Sequence, residues 1–289
     1  IACTMMQLCS AGDHIVSSRT IYGGTYALMK NLLPRWGITT SFVDATDLDK
    51  VRAAITDTTK AIYVETLSNP LLEVNDIQAL SDLAKEHGLA LVVDNTFTPM
   101  IFSPLKQGAD IVIHSMTKFI NGTSDCIGGA VIASKEFIGS LMDINCGPSM
   151  LLGPVLDSFR ASSILKNLHS LHIRMKKHGE NAMFLSKHLK EKGLDIHYPG
   201  LPDHPGHALM KATRNDGYGF GGILTLDAGT NERASRLMNL MQQRKVGYLA
   251  VSLGYFKTLF SAPGHSTSSE IPEDEQKAMG LTDGLIRIS

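Results

Sequence analysis

Short apolar runs alternate with stretches of helical apolar spacing along the first half of the chain. The apolar runs predict strands over 14–17, 40–43, 61–65, 89–93, 111–114 and 128–132. Between them, apolar positions at three- and four-residue spacing predict helices over 25–33, 48–55, 75–87 and 135–141. Strand and helix in alternation imply parallel pairing through crossover helices, so the expected class is α/β. Pro148 and Gly153 punctuate this region, and 155–192 is then rich in Leu, Met, Lys and His at helical spacing. Beyond it the pattern changes to mixed strands with a helix near 232–242, which places a boundary at the Tyr198-Pro-Gly200 turn. The expected division is a large domain over 1–197 and a smaller α+β domain over 198–289.

The ends of two predicted strands carry chemistry. Ile111-Val-Ile-His114 runs into Ser115-Met-Thr117-Lys118, and Leu91-Val-Val93 runs into Asp94-Asn95. In open α/β sheets, ligands bind outside the carboxyl ends of the strands. There a lysine amine can hold an aldehyde, two neighbouring hydroxyls can donate to a phosphate, and a carboxylate can keep a pyridine nitrogen protonated. Taken singly, a lysine after a strand is an ordinary solvated residue and an Asp after Val-Val an ordinary turn. Their conjunction on successive strands points to pyridoxal phosphate (PLP). Two further strand ends fit a cofactor site: Tyr22-Gly-Gly-Thr25, where glycines allow close backbone approach beside an aromatic ring, and Glu65-Thr-Leu-Ser-Asn69-Pro70, where Asn69 can reach a ring substituent.

Composition narrows the class. The chain has 289 residues, 43% of them hydrophobic, and its 27 basic and 28 acidic residues leave a formal charge of -1. This balance gives no electrostatic argument for nucleic acid or a membrane surface, and no apolar run approaches the roughly 20 residues of a membrane helix. Cys3, Cys9, Cys126 and Cys146 are too irregularly placed for a disulfide scaffold or a zinc site, so reduced thiols and a cytoplasmic setting are expected. Gly217-Tyr-Gly-Phe-Gly-Gly222 matches a dinucleotide-binding glycine pattern but precedes a strand-like run instead of following one. The His pairs 169/172 and 204/207 have no carboxylate or cysteine at ligand spacing, and no metal is expected. The chain opens on Ile1 and ends at Ser289 inside a strand-like run, which reads as a fragment.

The motifs Tyr22-Gly-Gly-Thr, Glu65-Thr-x-x-Asn-Pro70, Val93-Asp-Asn-Thr-Phe97, His114-Ser-x-Thr-Lys-Phe119, Val251-Ser-Leu-Gly254 and Gly284-Leu-Ile-Arg-Ile-Ser289 stand in one order. Together they resemble the Cys/Met-metabolism PLP-dependent enzymes, a family of cystathionine synthases and lyases, methionine γ-lyases and O-acylhomoserine sulfhydrylases. The resemblance spans essentially the whole chain. It implies the fold type I architecture: a mostly parallel sheet flanked by helices, followed by a partial α+β domain. It also implies Lys118 as the cofactor-bearing lysine and proton shuttle, Asp94 as partner of the pyridine nitrogen, and Tyr22 as the ring that stacks on the cofactor and assists thiol departure. Asn69 would contact the ring hydroxyl, Ser115 and Thr117 the phosphate, and Arg287 the substrate carboxylate, a task suited to a bidentate guanidinium. Ser252 and Thr267 would position the lysine and the arginine.

For substrate, the resemblance is strongest to plant-type methionine γ-lyases, through 252–270 and Leu151-Leu-Gly-Pro154. Cystathionine lyases of the family place an acidic residue where this chain has Val251, and an apolar residue there suits an uncharged thioether. The expected reaction is α,γ-elimination on L-methionine to methanethiol, 2-oxobutanoate and ammonia. Cystathionine γ-lyase, γ-synthase and O-acylhomoserine sulfhydrylase are the alternatives. Gly24 stands where bacterial methionine γ-lyases carry cysteine, which implies broader specificity. The family's phosphate-binding Gly-Met loop and its Tyr-x-Arg, which reaches a partner subunit, are expected upstream of Ile1, and shared sites imply a homodimer or homotetramer. A nucleotide-dependent oxidoreductase would need a glycine-rich strand-to-helix turn. A non-catalytic protein of this fold would be expected to lack Lys118 or Asp94.

Overall fold

The computed structural model describes residues 1–266 and 268–289. Among them, a six-stranded sheet is built from β1 (His14–Ser18), β2 (Thr39–Val43), β3 (Thr59–Glu65), β4 (Ala90–Asp94), β5 (Ile111–Ser115) and β6 (Gly129–Ile132), in the order β2-β1-β3-β4-β5-β6. All neighbours are parallel except β5 and β6. The alternation of side chains explains why the central strands read as unbroken apolar runs. Ile15, Tyr63, Val92, Ile111 and Ile113 join one buried cluster. Val16, Ile62, Val64, Leu91, Val93 and Val112 join another on the opposite face. Both faces of a parallel sheet are covered, so neither set of positions tolerates a polar residue.

The helix Ile77–Glu86 covers the second face, burying Ile77, Leu80, Leu83 and Ala84. It begins where the Asp76 carboxylate accepts from the Ala79 amide at 3.0 Å, satisfying one of the orphan donors of the first turn. The helix expected over 25–33 is instead three pieces: an α turn at Gly23–Ala27, a π turn at Leu28–Leu32 and a 3₁₀ turn at Leu33–Trp36. Pro34 explains the break, because it lacks an amide hydrogen and its ring crowds the carbonyl one turn back, which forces a wider and then a tighter turn. The single helical stretch expected over 155–192 likewise divides into Ser158–Leu168 and Leu171–Glu191. At the junction, the Ser170 hydroxyl and the Arg174 guanidinium both donate to the Asn167 carbonyl, removing it from a continuous helical ladder.

A second sheet has the order β7-β8-β11-β10-β9, from β7 (Asp195–His197), β8 (Leu224–Asp227), β9 (Tyr248–Leu249), β10 (Leu259–Ser261) and β11 (Leu285–Ile288). Its buried face supplies Leu224, Leu226, Phe260, Ile286 and Ile288 to a core that also takes Leu67, Phe97 and Phe119 from loops of the first sheet. The two sheets are therefore joined through a shared core, and β11, whose Ile286 and Ile288 enter it, presents Arg287 on its opposite face.

Candidate active site

The first sheet's strand order turns back between β1 and β3, which is where the loops at the carboxyl ends diverge and leave a crevice. A cavity of about 320 Å³ lies there, lined by Tyr22, Glu65, Asn69, Asp94, Ser115, Thr117, Lys118, Val251 and Arg287, with Leu67, Thr96, Phe97, Ile127 and Leu253. Of the residues singled out in the sequence, Tyr22, Asn69, Asp94, Ser115, Thr117, Lys118, Val251 and Arg287 thus surround one space. Ser252 stands beside it, accepting from Lys118 Nζ at 3.1 Å, while its carbonyl accepts from Arg287 Nη2 at 3.3 Å. Thr267 lies outside the described residues.

Strand register brings the acidic residues together. Asp94 on β4 pairs with Glu65 on β3 and Ile113 on β5. Both carboxylates are buried. Asp94 Oδ1 accepts from the Thr96 amide at 2.9 Å and Oδ2 from the Tyr63 hydroxyl at 3.3 Å. Burial raises the Asp94 pKa above the usual range, with the Thr96 and Tyr63 hydrogen bonds opposing. Glu65 is raised well above, first by burial and then by the Asp94 charge. Its two oxygens accept from the backbone amides of Tyr22 and Asn69, each at 2.8 Å.

The cationic side is equally enclosed. Burial, with the nearby Arg287 charge, holds the Lys118 ammonium below its ordinary pKa, so the neutral amine is easier to reach there than at the surface. Arg287 is 2% exposed, and burial brings its pKa down to about 10 against the opposing pull of Glu65. Its Nη1 donates to Asn69 Oδ1 at 2.8 Å and its Nη2 to Ser261 Oγ at 3.4 Å. Among the described residues no carboxylate forms an ion pair with it. A buried guanidinium whose partners are neutral retains capacity for an incoming carboxylate.

Thr117 Oγ1 accepts from the Gly128 amide at 3.1 Å, which ties the turn before Lys118 to the segment leading into β6. At the other wall, Tyr22 is 48% exposed, with its ring folded against Gly24. A β-carbon at Gly24 would come within 2.6 Å of Tyr22 Cε1, so glycine at 24 and this ring position go together.

Sequence reasoning left several wall residues without a role. Thr96 caps Asp94 through its amide while its hydroxyl accepts from the Ser115 amide at 2.8 Å, joining the ends of β4 and β5. Thr96 and Phe97 stood inside a quoted motif, and their proximity to Asp94 in sequence was the available signal. Glu65 was read only as the polar tip of a strand. The donor set suits PLP: a buried carboxylate in no direct ion pair among the described residues, with the Ile1 ammonium as its nearby positive charge, a desolvated lysine, hydroxyls on the turn before it, and apolar walls from Leu67, Phe97 and Leu253.

A mostly parallel sheet with these groups at its carboxyl ends defines a PLP-dependent enzyme of fold type I. The sequence profile of the Cys/Met metabolism PLP-dependent enzymes matches residues 1–289, and the chain belongs to that family. It is 45% identical to methionine gamma-lyase of Arabidopsis thaliana, over 100% of this chain and 66% of that protein. It is 40% identical to cystathionine gamma-lyase of Bacillus subtilis, over 99% of this chain and 74% of that protein. It therefore spans slightly under two thirds of the first relative and about three quarters of the second. Among solved structures it superposes on a putative O-acetylhomoserine (thiol)-lyase from Campylobacter jejuni with a TM-score of 0.92 and 29% identity, covering 100% of this chain and 75% of that one. That structure contains a pyridoxyl-lysine monophosphate.

Proposed function

We propose that the protein is a carbon–sulfur lyase that removes methanethiol from L-methionine by α,γ-elimination, releasing 2-oxobutanoate and ammonia. Bound PLP supplies an electron sink for the electrons left at the substrate's Cα. Asp94 would hold the proton on the pyridine nitrogen. Lys118 provides the anchoring amine, and its Nζ then moves the substrate protons, helped by the same burial that favours its neutral form. Asn69 would hold the ring hydroxyl, and Ser115 and Thr117 would hold the phosphate. Arg287 binds the substrate carboxylate with Asn69 and Ser252 fixing its fork, and the Tyr22 hydroxyl delivers a proton to the departing thiolate.

The observation that carries the substrate assignment is Val251. It lines the cavity as an apolar residue, 64% exposed, and offers the distal end of a substrate no carboxylate. A thioether methyl needs no partner there, whereas the distal ammonium of cystathionine finds no counter-charge beside Val251. That difference costs about 1 to 3 kcal/mol, or roughly 5- to 150-fold in kcat/KM. The test is competition between methionine and cystathionine on the full-length enzyme and on Val251→Glu. Methionine is expected to win on the parent, and the margin to shrink or reverse on the variant. Equal or faster cystathionine cleavage by the parent would remove the methionine assignment. Cystathionine cleavage is the second reading, favoured by the 40% identity to the Bacillus protein of that name.

A homodimer or homotetramer with shared sites belongs to the same proposal. It is supported by the exposed apolar side chains of Ile144, Leu152, Val155 and Phe159, two on helices and two on the connecting segments beside them. A cytoplasmic setting is supported by the four unpaired cysteines. No helix among the described residues is long and apolar enough to cross a membrane.

A further inference from the structure

Glu65 makes contacts that the proposed reaction does not use. It is 5% exposed, at the last position of β3, and each of its two oxygens is taken by a backbone amide from a different loop. The Tyr22 amide belongs to the loop after β1, 43 positions away in sequence, and the Asn69 amide to the loop after β3. Asn69 in turn holds Arg287 through its side-chain oxygen. One carboxylate thus fixes both the aromatic wall of the cavity and the amide that orients the buried guanidinium.

A carboxylate is the group this arrangement requires. Both amides point donors at it, and an acceptor-only side chain satisfies both at once. A carboxamide would turn its NH₂ toward one of them, leaving a buried donor facing a donor. Burial and Asp94 push the Glu65 pKa up, but two backbone amides donating to its two oxygens hold the acceptor-only ionised form, and that charge near Arg287 offsets part of the cost of burying an arginine whose hydrogen-bond partners are neutral.

We propose that Glu65 is a positioning residue for amino-acid substrate binding: it sets Tyr22 and, through Asn69, Arg287, so that the carboxylate clamp is preformed. This rests on the proposed assignment of Arg287 to the substrate carboxylate.

The test uses the full-length, PLP-loaded enzyme and compares the parent with Glu65→Gln and Glu65→Asp. Glycine serves as the probe, since it carries the α-carboxylate but no leaving group, and its binding is followed by absorbance of the cofactor band. Glu65→Gln is expected to weaken glycine binding about 10- to 100-fold, the effect of losing one hydrogen bond to a charged group. The KM for L-methionine is expected to rise in parallel, with PLP affinity changed only a few-fold. Glu65→Asp keeps the charge but is one carbon shorter, so it reaches one amide and is expected to fall between parent and Gln.

Glycine affinity within about twofold of the parent in both variants would overturn the proposal. So would a lower melting temperature of the apoprotein with unchanged glycine affinity, because Glu65 would then be structural only. If Glu65→Gln does not fold, Glu65→Asp decides alone, and parent-like glycine binding in it counts against the proposal. If the parent binds glycine tightly yet does not cleave methionine, the substrate assignment fails while the positioning role stands.

Discussion

At the residue scale, Lys118 gathers the consequences of burial. Its amine has a single hydrogen-bond partner among the described residues, Ser252, and a neighbouring arginine that disfavours its charge. Lys118→Ala in the full-length enzyme is expected to lower turnover by roughly 10³-fold or more, since it removes the anchoring amine and the proton carrier together. Noncovalent PLP binding should survive. Borohydride reduction of the loaded parent followed by peptide mapping is the second check: the label is expected on Lys118, and a label on another lysine would displace the assignment. Lys118 and Asp94 were visible in the sequence because each breaks an apolar run with a charged or polar group at a strand end, and that break survives in one dimension. The part played by Glu65 was not visible, because it depends on the Tyr22 loop folding back over β3. Nothing within a few residues of Glu65 signals a partner 43 positions earlier.

At the element scale, the six strand runs emerged from the sequence with ends shifted by one or two residues, since parallel strands buried on both faces leave long apolar signatures. Helix continuity was less legible. The break at Ser170 comes from where a backbone carbonyl finds its donors, which apolar spacing does not encode, whereas the π turn at Leu28–Leu32 had its signal in Pro34, which a reading by apolar spacing passed over. The helix Ile77–Glu86 offers a clean test of local control, because its first turn depends on the Asp76 carboxylate. Asp76→Ala is expected to cost about 1 kcal/mol and Asp76→Asn only a few tenths, read from urea unfolding midpoints. Because this helix packs under β3 and β4, which carry Glu65 and Asp94, a larger loss would mean that the cap also braces the strand ends.

At the scale of the whole molecule, several histidines are held neutral. Burial pushes His114, His178 and His204 down to about 4 and lowers His14 as well. Unfolding releases each to an ordinary value of about 6.5, so between these limits the unfolded chain binds more protons. Their contribution is complete above about pH 6.5 and is lost as the pH falls toward 4. Glu65, Glu73 and Asp94 are raised and titrate in the opposite sense, so a difference measurement isolates the histidine effect. The melting temperature of the parent is expected to fall more steeply than that of His178→Gln between pH 6.5 and 4.5, and identical slopes would contradict the assignment of His178 to this limb.

The hydrogen bond between Arg287 and Asn69 spans 218 positions of sequence. A ribosome delivers chains amino end first, so Lys118, the carboxylates and the hydroxyl-bearing turn are synthesised well before Ser252, which holds the lysine, and Arg287 exist. On the proposed assignments, the cofactor pocket and the substrate clamp are therefore separate events in the life of the chain, and the long loop closure between them delays the second. An enzyme built as proposed receives its reactive amine early and its selectivity last.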